Sequence, residues 1–125
     1  MKRGAFVAIL HNNSVLLVKP PDWVSQFSGH WNFPGGVVED GETLEEGAIR
    51  EVLEETNIVC EVQDLLFTDH NEKYDTSIAI FRGKYISGQA KIESHEISAI
   101  SWFEIRDALE QPLAFNIKEV LSDLV

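Results

Sequence analysis

Three glutamates, Glu51, Glu54 and Glu55, stand at positions i, i+3 and i+4 of a segment with helical periodicity. On a helix this spacing places three carboxylates on one patch, where each like-charged pair costs about a few tenths of a kcal/mol. A solvated acidic helix would instead pair its charges with Lys or Arg four residues away, but Arg50 is the one basic residue against eight acidic residues at 39–55. Hard divalent cations require clustered oxygen ligands on a rigid element. The spacing therefore predicts a site for a hard divalent cation, Mg²⁺ in particular.

The sequence also predicts the limits of the helix that carries these glutamates. Thr43 and Glu46 match a capping box, so we expect the helix to begin at Leu44. Asn57 suits the left-handed conformation of the residue that ends a helix. The Gly35-Gly36 pair ahead of the helix allows a close approach of the main chain, so a carbonyl oxygen can join the ligands of the cation.

This helix is predicted to be amphipathic. At about 100° per residue, the apolar side chains fall on one arc and the glutamates on another. The apolar arc comprises Ala48, Ile49, Val52 and Leu53. Gly47 lies among the glutamates although glycine costs about 1 kcal/mol of helix propensity relative to alanine, so a packing or functional reason must exist for it.

Short β-rich runs surround the helix and predict the sheet that positions it. The expected strands are 5–10 and 15–18, joined by a tight turn at Asn12-Asn13, then 58–68, 76–86 and 100–103. A second helix is expected at about 117–124 and a short helical turn within 104–111. Strands interrupted by a few helices indicate an α+β (mixed α/β) class, with a functional loop and helix at 35–57.

Composition excludes several classes of function. The chain has 125 residues, which fits one domain over 1–125, and a formal net charge of -11. This charge argues against binding to duplex DNA or to an anionic membrane, and a polyanionic ligand would need a metal ion. The apolar run at 5–10 is too short for a signal peptide or a membrane span. The single Cys60 allows no intrachain disulfide, so we expect a reducing, cytoplasmic setting.

From Gly36 to Ile58 the sequence resembles the Nudix box, G-x5-E-x7-R-E-U-x-E-E-x-G-U, where U is a bulky aliphatic residue. Glu42 and the run Arg-Glu-Val-Leu-Glu-Glu-Thr-Asn-Ile at 50–58 occupy the specified positions. Asn57 stands where the family has glycine, a mild departure because asparagine tolerates the left-handed region. The preceding Trp-Asn-Phe-Pro-Gly-Gly at 31–36 is similar to the usual entry to the box.

The resemblance implies hydrolysis of a nucleoside diphosphate linked to another moiety, in a Nudix-type α/β/α sandwich with mixed and antiparallel strands. It also implies roles for individual residues of the box. Glu51, Glu54, Glu55 and the carbonyl of Gly36 would bind Mg²⁺ or Mn²⁺, Arg50 would orient Glu51, and Glu42 and Gly35 would support the cluster. A free carboxylate of this group would accept the proton of the attacking water.

Four residues outside the box are further candidates, each with an alternative reading. Glu96 lies in a segment that resembles a late loop of the family that contributes one more glutamate, but it can equally be a solvated side chain. Trp23 and Phe27 stand in a polar stretch, where they either stack on a base or cover the core. Tyr74, sixteen residues after Ile58, resembles a tyrosine of the diadenosine polyphosphate hydrolases, although simple packing explains it as well.

The substrate class rests on weaker signals. Many ADP-ribose hydrolases of the family carry a proline about sixteen residues after the box, and the chain has none between Pro34 and Pro112, which disfavours that class. The short length is similar to MutT-type nucleoside triphosphate pyrophosphohydrolases, so a small-molecule nucleoside triphosphate is the first expectation. The alternatives are a dinucleoside polyphosphate hydrolase and a non-catalytic nucleotide-sensing or partner-binding domain. Homodimerisation stays open, because the sequence identifies no exposed apolar stripe.

Overall fold

The elements of the fold follow the predicted pattern of strands and helices closely. A computed structural model describes residues 1–23, 28–114 and 116–125. Within these ranges the elements are β1 (Lys2–His11), β2 (Ser14–Lys19), β3 (Gly35–Val37), α1 (Leu44–Thr56), β4 (Val59–Asn71), β5 (Thr76–Ser87), β6 (Ala99–Glu104), α2 (Ile105–Ala108) and α3 (Ile117–Asp123). All five predicted strands and the three predicted helical segments are therefore present, with ends shifted by a few residues.

The hairpin of β1 and β2 forms because two asparagines accept left-handed backbone conformations. Asn12 has φ 50° and Asn13 has φ 65°. Two consecutive residues with positive φ make the turn whose twist matches that of antiparallel strands. Leu10 accordingly pairs with Val15.

The strands join in one mixed sheet with the order β4-β5-β1-β2-β6, and β3 pairs with β1. The pairing of β1 with β5 is parallel, and the other strand pairs are antiparallel. Strand β3 is a correction to the sequence analysis, which treated Gly35 and Gly36 as a loop. Two glycines carry no β propensity, and this short strand exists because Ala5 of β1 pairs with Gly36.

The sheet has a hydrophobic core on each face. On one face, Ala48 and Val52 of α1 pack on alternate residues of β1, including Val7. On the other face, α2 and α3 pack on the intervening residues. This three-layer arrangement confirms the predicted α+β sandwich.

Leu53, placed on the apolar arc by the sequence, is 44% exposed instead. Of the described helices, none combines the length and apolar character needed to cross a bilayer.

Candidate active site

Helix α1 is fixed at both ends by the predicted residues. The backbone N–H of Glu46 donates to Oγ1 of Thr43 at 3.1 Å, and the backbone N–H of Thr43 donates to Oε1 of Glu46 at 2.8 Å. Asn57 ends the helix with φ 65°, and its N–H donates to the carbonyl of Leu53. The capping box and the left-handed C-cap thus set the register of every glutamate that follows.

Three carboxylates converge at the C-terminal half of α1. Glu51, Glu55 and Glu96 each offer an oxygen, and these oxygens lie within 4.8 Å of one another. Glu55 is only 6% exposed, and Glu51 is partly buried. Like charges this close repel, most strongly at the buried Glu55, and a bound cation would offset that repulsion. An all-oxygen, all-anionic donor set of this kind fits Mg²⁺ or Mn²⁺.

Glu55 is the most strongly perturbed carboxyl group of this cluster. Burial, together with the nearby charges of Glu51 and Glu96, raises the pKa of Glu55 to about 8, against the opposing effect of a hydrogen bond from Gly35. In that hydrogen bond, the backbone N–H of Gly35 donates to Oε1 of Glu55 at 3.0 Å. Gly35 therefore orients one oxygen of Glu55 and leaves the other for a ligand or a proton.

Arg50 is bonded to three glutamates and one carbonyl group. Its Nε lies 2.7 Å from Oε2 of Glu42, and its Nη1 lies 2.8 Å from Oε1 of Glu51. Nη2 also donates to the carbonyl of Val37 at 3.0 Å, which ties α1 to β3. The bond from Arg50 lowers the pKa of Glu42 to about 2, and Glu42 in turn raises the pKa of Arg50. Arg50 is thus placed to orient Glu51, the role that the resemblance implies.

Glu51 is held between Arg50 and Gly36. Burial raises its pKa, and this effect outweighs the opposing hydrogen bond from Arg50. A Cβ atom at Gly36 would collide with the carboxylate of Glu51, so a glycine is required for the carboxylate to occupy this place. The structure places Gly36 next to the cluster. Coordination by its carbonyl stays a prediction.

Glu54 is placed differently from the other two glutamates of the box. Its Oε2 lies 3.1 Å from Nη1 of Arg50, and its side chain is 58% exposed. It is outside the group of three carboxylates, where Glu96 takes the third position. A role for Glu54 as a metal ligand therefore stays a prediction from the box.

The reason for glycine at position 47 is packing against the loop before the helix. A Cβ atom there would lie 2.9 Å from Cγ2 of Val38 and 3.2 Å from Oε1 of Glu42. Both residues belong to the segment that leads into α1. Gly47 therefore lets this segment lie directly on the helix.

A cleft of about 740 Å³ lies on the other face of the sheet and reaches Gly36. Phe6 and Phe67 line it, and so do Asn32 and Asn116. Gly36 therefore borders both the cleft and the carboxylate of Glu51. The sequence analysis missed the two asparagines. The sequence signals were the place of Asn32 within the box entry at 31–36 and the place of Asn116 directly before α3.

The predicted base-stacking aromatics have different positions. Tyr74 lines the cleft and is 66% exposed. Trp23 is 77% exposed and is not among the residues that line the cleft. Phe27 lies outside the described residues, and its role stays a prediction.

Comparison with known proteins decides the family. The family model of the NUDIX domain matches residues 1–124. The chain belongs to the Nudix family. Its relatives include a putative 8-oxo-dGTP diphosphatase of Bacillus subtilis, 34% identical over 101 residues, which cover 80% of this chain and 64% of the relative. An ADP-ribose pyrophosphatase of Methanocaldococcus jannaschii is 29% identical over 116 residues, 90% of this chain and 66% of that protein.

The Nudix fold is equally clear from solved structures. A MutT NUDIX hydrolase from Burkholderia pseudomallei superposes with a TM-score of 0.83 at 27% identity, covering 99% of this chain and 98% of that one. The first three curated relatives are longer, and the chain spans 42%, 64% and 40% of their lengths. The part of these relatives that aligns with the chain corresponds to its Nudix domain.

Proposed function

We propose that this Nudix chain is a hydrolase of a pyrophosphate bond in a nucleoside diphosphate linked to another moiety, with a nucleoside triphosphate as its substrate. The observation that carries the proposal is the position of Gly36 between the cleft and the carboxylate group. A nucleoside in the cleft would present its phosphates to Glu51 and Glu55. The box retains all of its carboxylates, which argues against a non-catalytic sensor, since such a domain is expected to have lost a ligand.

The proposed cofactor is Mg²⁺ or Mn²⁺. Glu51, Glu55 and Glu96 would hold it, with Glu54 and the carbonyl of Gly36 as further ligands implied by the box. The ion, when bound, neutralises charge on the phosphates and lowers the pKa of water. Without a cation, the carboxylates and the phosphates would repel each other, because both are negative.

The side chains of the cluster have separate tasks in this proposal. Arg50 holds Oε1 of Glu51, so the remaining oxygen of Glu51 faces away from the guanidinium. Gly35 fixes Oε1 of Glu55 in the same manner. A bound cation would favour the charged forms of Glu51 and Glu55, whose pKa values burial raises. A carboxylate of the group that stays free of the cation would accept the proton of the attacking water.

The cleft supports a nucleoside as the bound group. A largely apolar lining with a few polar residues is typical of a small-molecule site, and amide side chains match the donor and acceptor pattern of a base. Asn32 and Asn116 line the cleft, and a side-chain amide carries donor and acceptor groups that would bond to a base. The name of the Bacillus subtilis relative gives an oxidised deoxynucleoside triphosphate as its substrate, which supports the triphosphate class.

A hydrolysis screen with product identification tests the proposal. The substrates are nucleoside triphosphates including 8-oxo-dGTP, dinucleoside polyphosphates, ADP-ribose, nucleotide sugars and capped RNA, each with Mg²⁺ or Mn²⁺. We expect a triphosphate to give a monophosphate and pyrophosphate. Reaction in ¹⁸O-labelled water then identifies the attacked phosphorus from the product that carries the label. Turnover of ADP-ribose alone would contradict the triphosphate assignment.

A dinucleoside polyphosphate is the second candidate substrate, favoured by the position of Tyr74 at the cleft. Its exposed ring is available to a second base.

The acidic net charge of -11 gives no support to duplex DNA or a membrane as a partner. The single cysteine, Cys60, is consistent with a reducing compartment such as the cytoplasm.

A further inference from the structure

Glu96 reaches the carboxylate group from a connection without regular structure, residues 88–98, which joins β5 to β6. We refer to residues 88–98 as the Glu96 segment. Glu51 and Glu55 are positioned by a helix, whereas a side chain on an irregular segment needs other restraints to stay in place. The hydrogen bonds of the Glu96 segment show what these restraints are.

The first half of the segment is tied to the C-terminal end of α1. The backbone N–H of Lys91 donates to the carbonyl of Thr56 at 3.1 Å, and that of Glu93 donates to the carbonyl of Glu55 at 3.0 Å. These bonds satisfy carbonyl groups that a helix end leaves without a partner in the helix. The segment therefore docks on the residue whose carboxylate Glu96 approaches.

The second half is tied to the end of β2 through Ser98. Its backbone N–H donates to the carbonyl of Lys19 at 2.8 Å, and its hydroxyl donates to the carbonyl of Pro20 at 2.8 Å. Ile97, between Ser98 and Glu96, is only 6% exposed. Two bonds to consecutive carbonyls fix both the location and the orientation of this end of the segment.

We propose that Ser98 is a positioning residue that holds the carboxylate of Glu96 in the cation site. The inference rests on the cation site of the proposed function. Ser98 does not touch the reacting atoms, and it acts through Glu96, two residues earlier in the segment. By restraining the segment before a cation binds, the hydroxyl of Ser98 reduces the conformational entropy that Glu96 loses as a ligand.

Binding of Mn²⁺ to the full chain, followed by electron paramagnetic resonance, tests this role without any substrate. We expect Ser98→Ala to weaken Mn²⁺ binding roughly 2- to 10-fold, the range for one hydrogen bond, and Ser98→Thr to restore it. Ser122→Ala is the matched control, because the hydroxyl of Ser122 also donates to a backbone carbonyl, that of Lys118 at 2.7 Å, on α3. Its Mn²⁺ affinity should equal that of the parent chain.

A double-mutant cycle with Glu96→Gln separates positioning from a general structural effect. Glu96→Gln alone should weaken Mn²⁺ binding, and adding Ser98→Ala should then cause no further loss. The same loss from Ser98→Ala in both backgrounds, or undiminished Mn²⁺ binding by Glu96→Gln, would overturn the inference. If these binding results hold but no nucleotide is hydrolysed, the proposed function fails and the inference on Ser98 stands.

Discussion

Arg50 binds both carboxylate oxygens of Glu42, with Nε 2.7 Å from Oε2 and Nη2 3.0 Å from Oε1. A paired geometry of this kind is stronger and more directional than a single bond. It fixes the guanidinium, whose Nη1 then contacts Glu51. Glu42 thus acts on the site through Arg50, from the loop before the helix.

This pair predicts a pH-dependent contribution to stability. The folded pKa of Glu42 is about 2, below the ordinary 4.5. Its contribution to the free energy of unfolding is therefore fully present above pH 4.5 and is lost as the pH falls towards 2. We expect Glu42→Gln to be less stable than the parent chain in urea at pH 7, with a difference that shrinks between pH 4.5 and 2. A difference independent of pH would contradict this assignment.

Removal of divalent cations should abolish activity and lower the melting temperature. Three carboxylate oxygens within 4.8 Å of one another repel when no cation is bound. Mn²⁺ or Mg²⁺ added after chelation should restore turnover and raise Tm with its concentration, as binding to the folded state requires. Undiminished turnover in excess chelator would exclude the proposed mechanism.

Loss of one box carboxylate should affect catalysis more than folding. Glu55→Gln and Glu54→Gln each keep the side-chain shape and remove a charge. We therefore expect kcat to fall at least about 100-fold, with the far-ultraviolet circular dichroism spectrum unchanged. Glu45→Gln, exposed on the same helix, is the control and should keep near-normal kcat. Normal activity of folded Glu55→Gln would favour a nucleotide sensor over an enzyme.

Alanine at position 47 should destabilise the chain although it favours a helix. Alanine gains about 1 kcal/mol of helix propensity over glycine. The added Cβ would, however, lie 2.9 Å from Cγ2 of Val38, whose branched side chain has little freedom to move. Urea unfolding should show a loss of stability for Gly47→Ala relative to the parent chain. In a chain that already carries Val38→Ala, adding Gly47→Ala should increase stability. Stabilisation in the parent background would show that the loop is free to move.

Truncation of Tyr74 discriminates between the two substrate classes. Stacking on a base contributes roughly 1 to 3 kcal/mol, or about 5- to 150-fold in binding. For a triphosphate hydrolase, Tyr74→Ala should change KM equally for a triphosphate and for a dinucleoside polyphosphate. A selective increase in KM for the two-base substrate would support the second candidate. Trp23→Ala and Phe27→Ala, assayed in parallel, test whether those aromatics also contact the base.

Local features of the fold were predictable from the sequence because neighbouring residues determine them. The capping box of Thr43 and Glu46 and the left-handed Asn57 set the ends of α1 as expected. The paired asparagines likewise determine the turn between β1 and β2. In each case the decisive contacts join residues a few positions apart.

Features that depend on distant residues were not predictable in this way. Strand β3 exists through its pairing with β1, and its own residues do not favour a strand. Glu96 was a candidate only through the resemblance to a late loop of the family, and it joins Glu51 and Glu55 because its segment is bonded to the ends of α1 and β2. No pattern within the segment encodes those bonds.

The parallel pairing of β1 with β5 also constrains the order in which the chain folds. Residue 2 pairs with residue 76, so a long loop must close before these strands stabilise each other, whereas β1 and β2 form a local hairpin. Long-range parallel pairing is slow because the entropy of loop closure is lost before the contacts form. The complete surface under α1 therefore assembles late. An isolated peptide of residues 35–58 would lack that surface, and its glutamates would remain a flexible acidic chain.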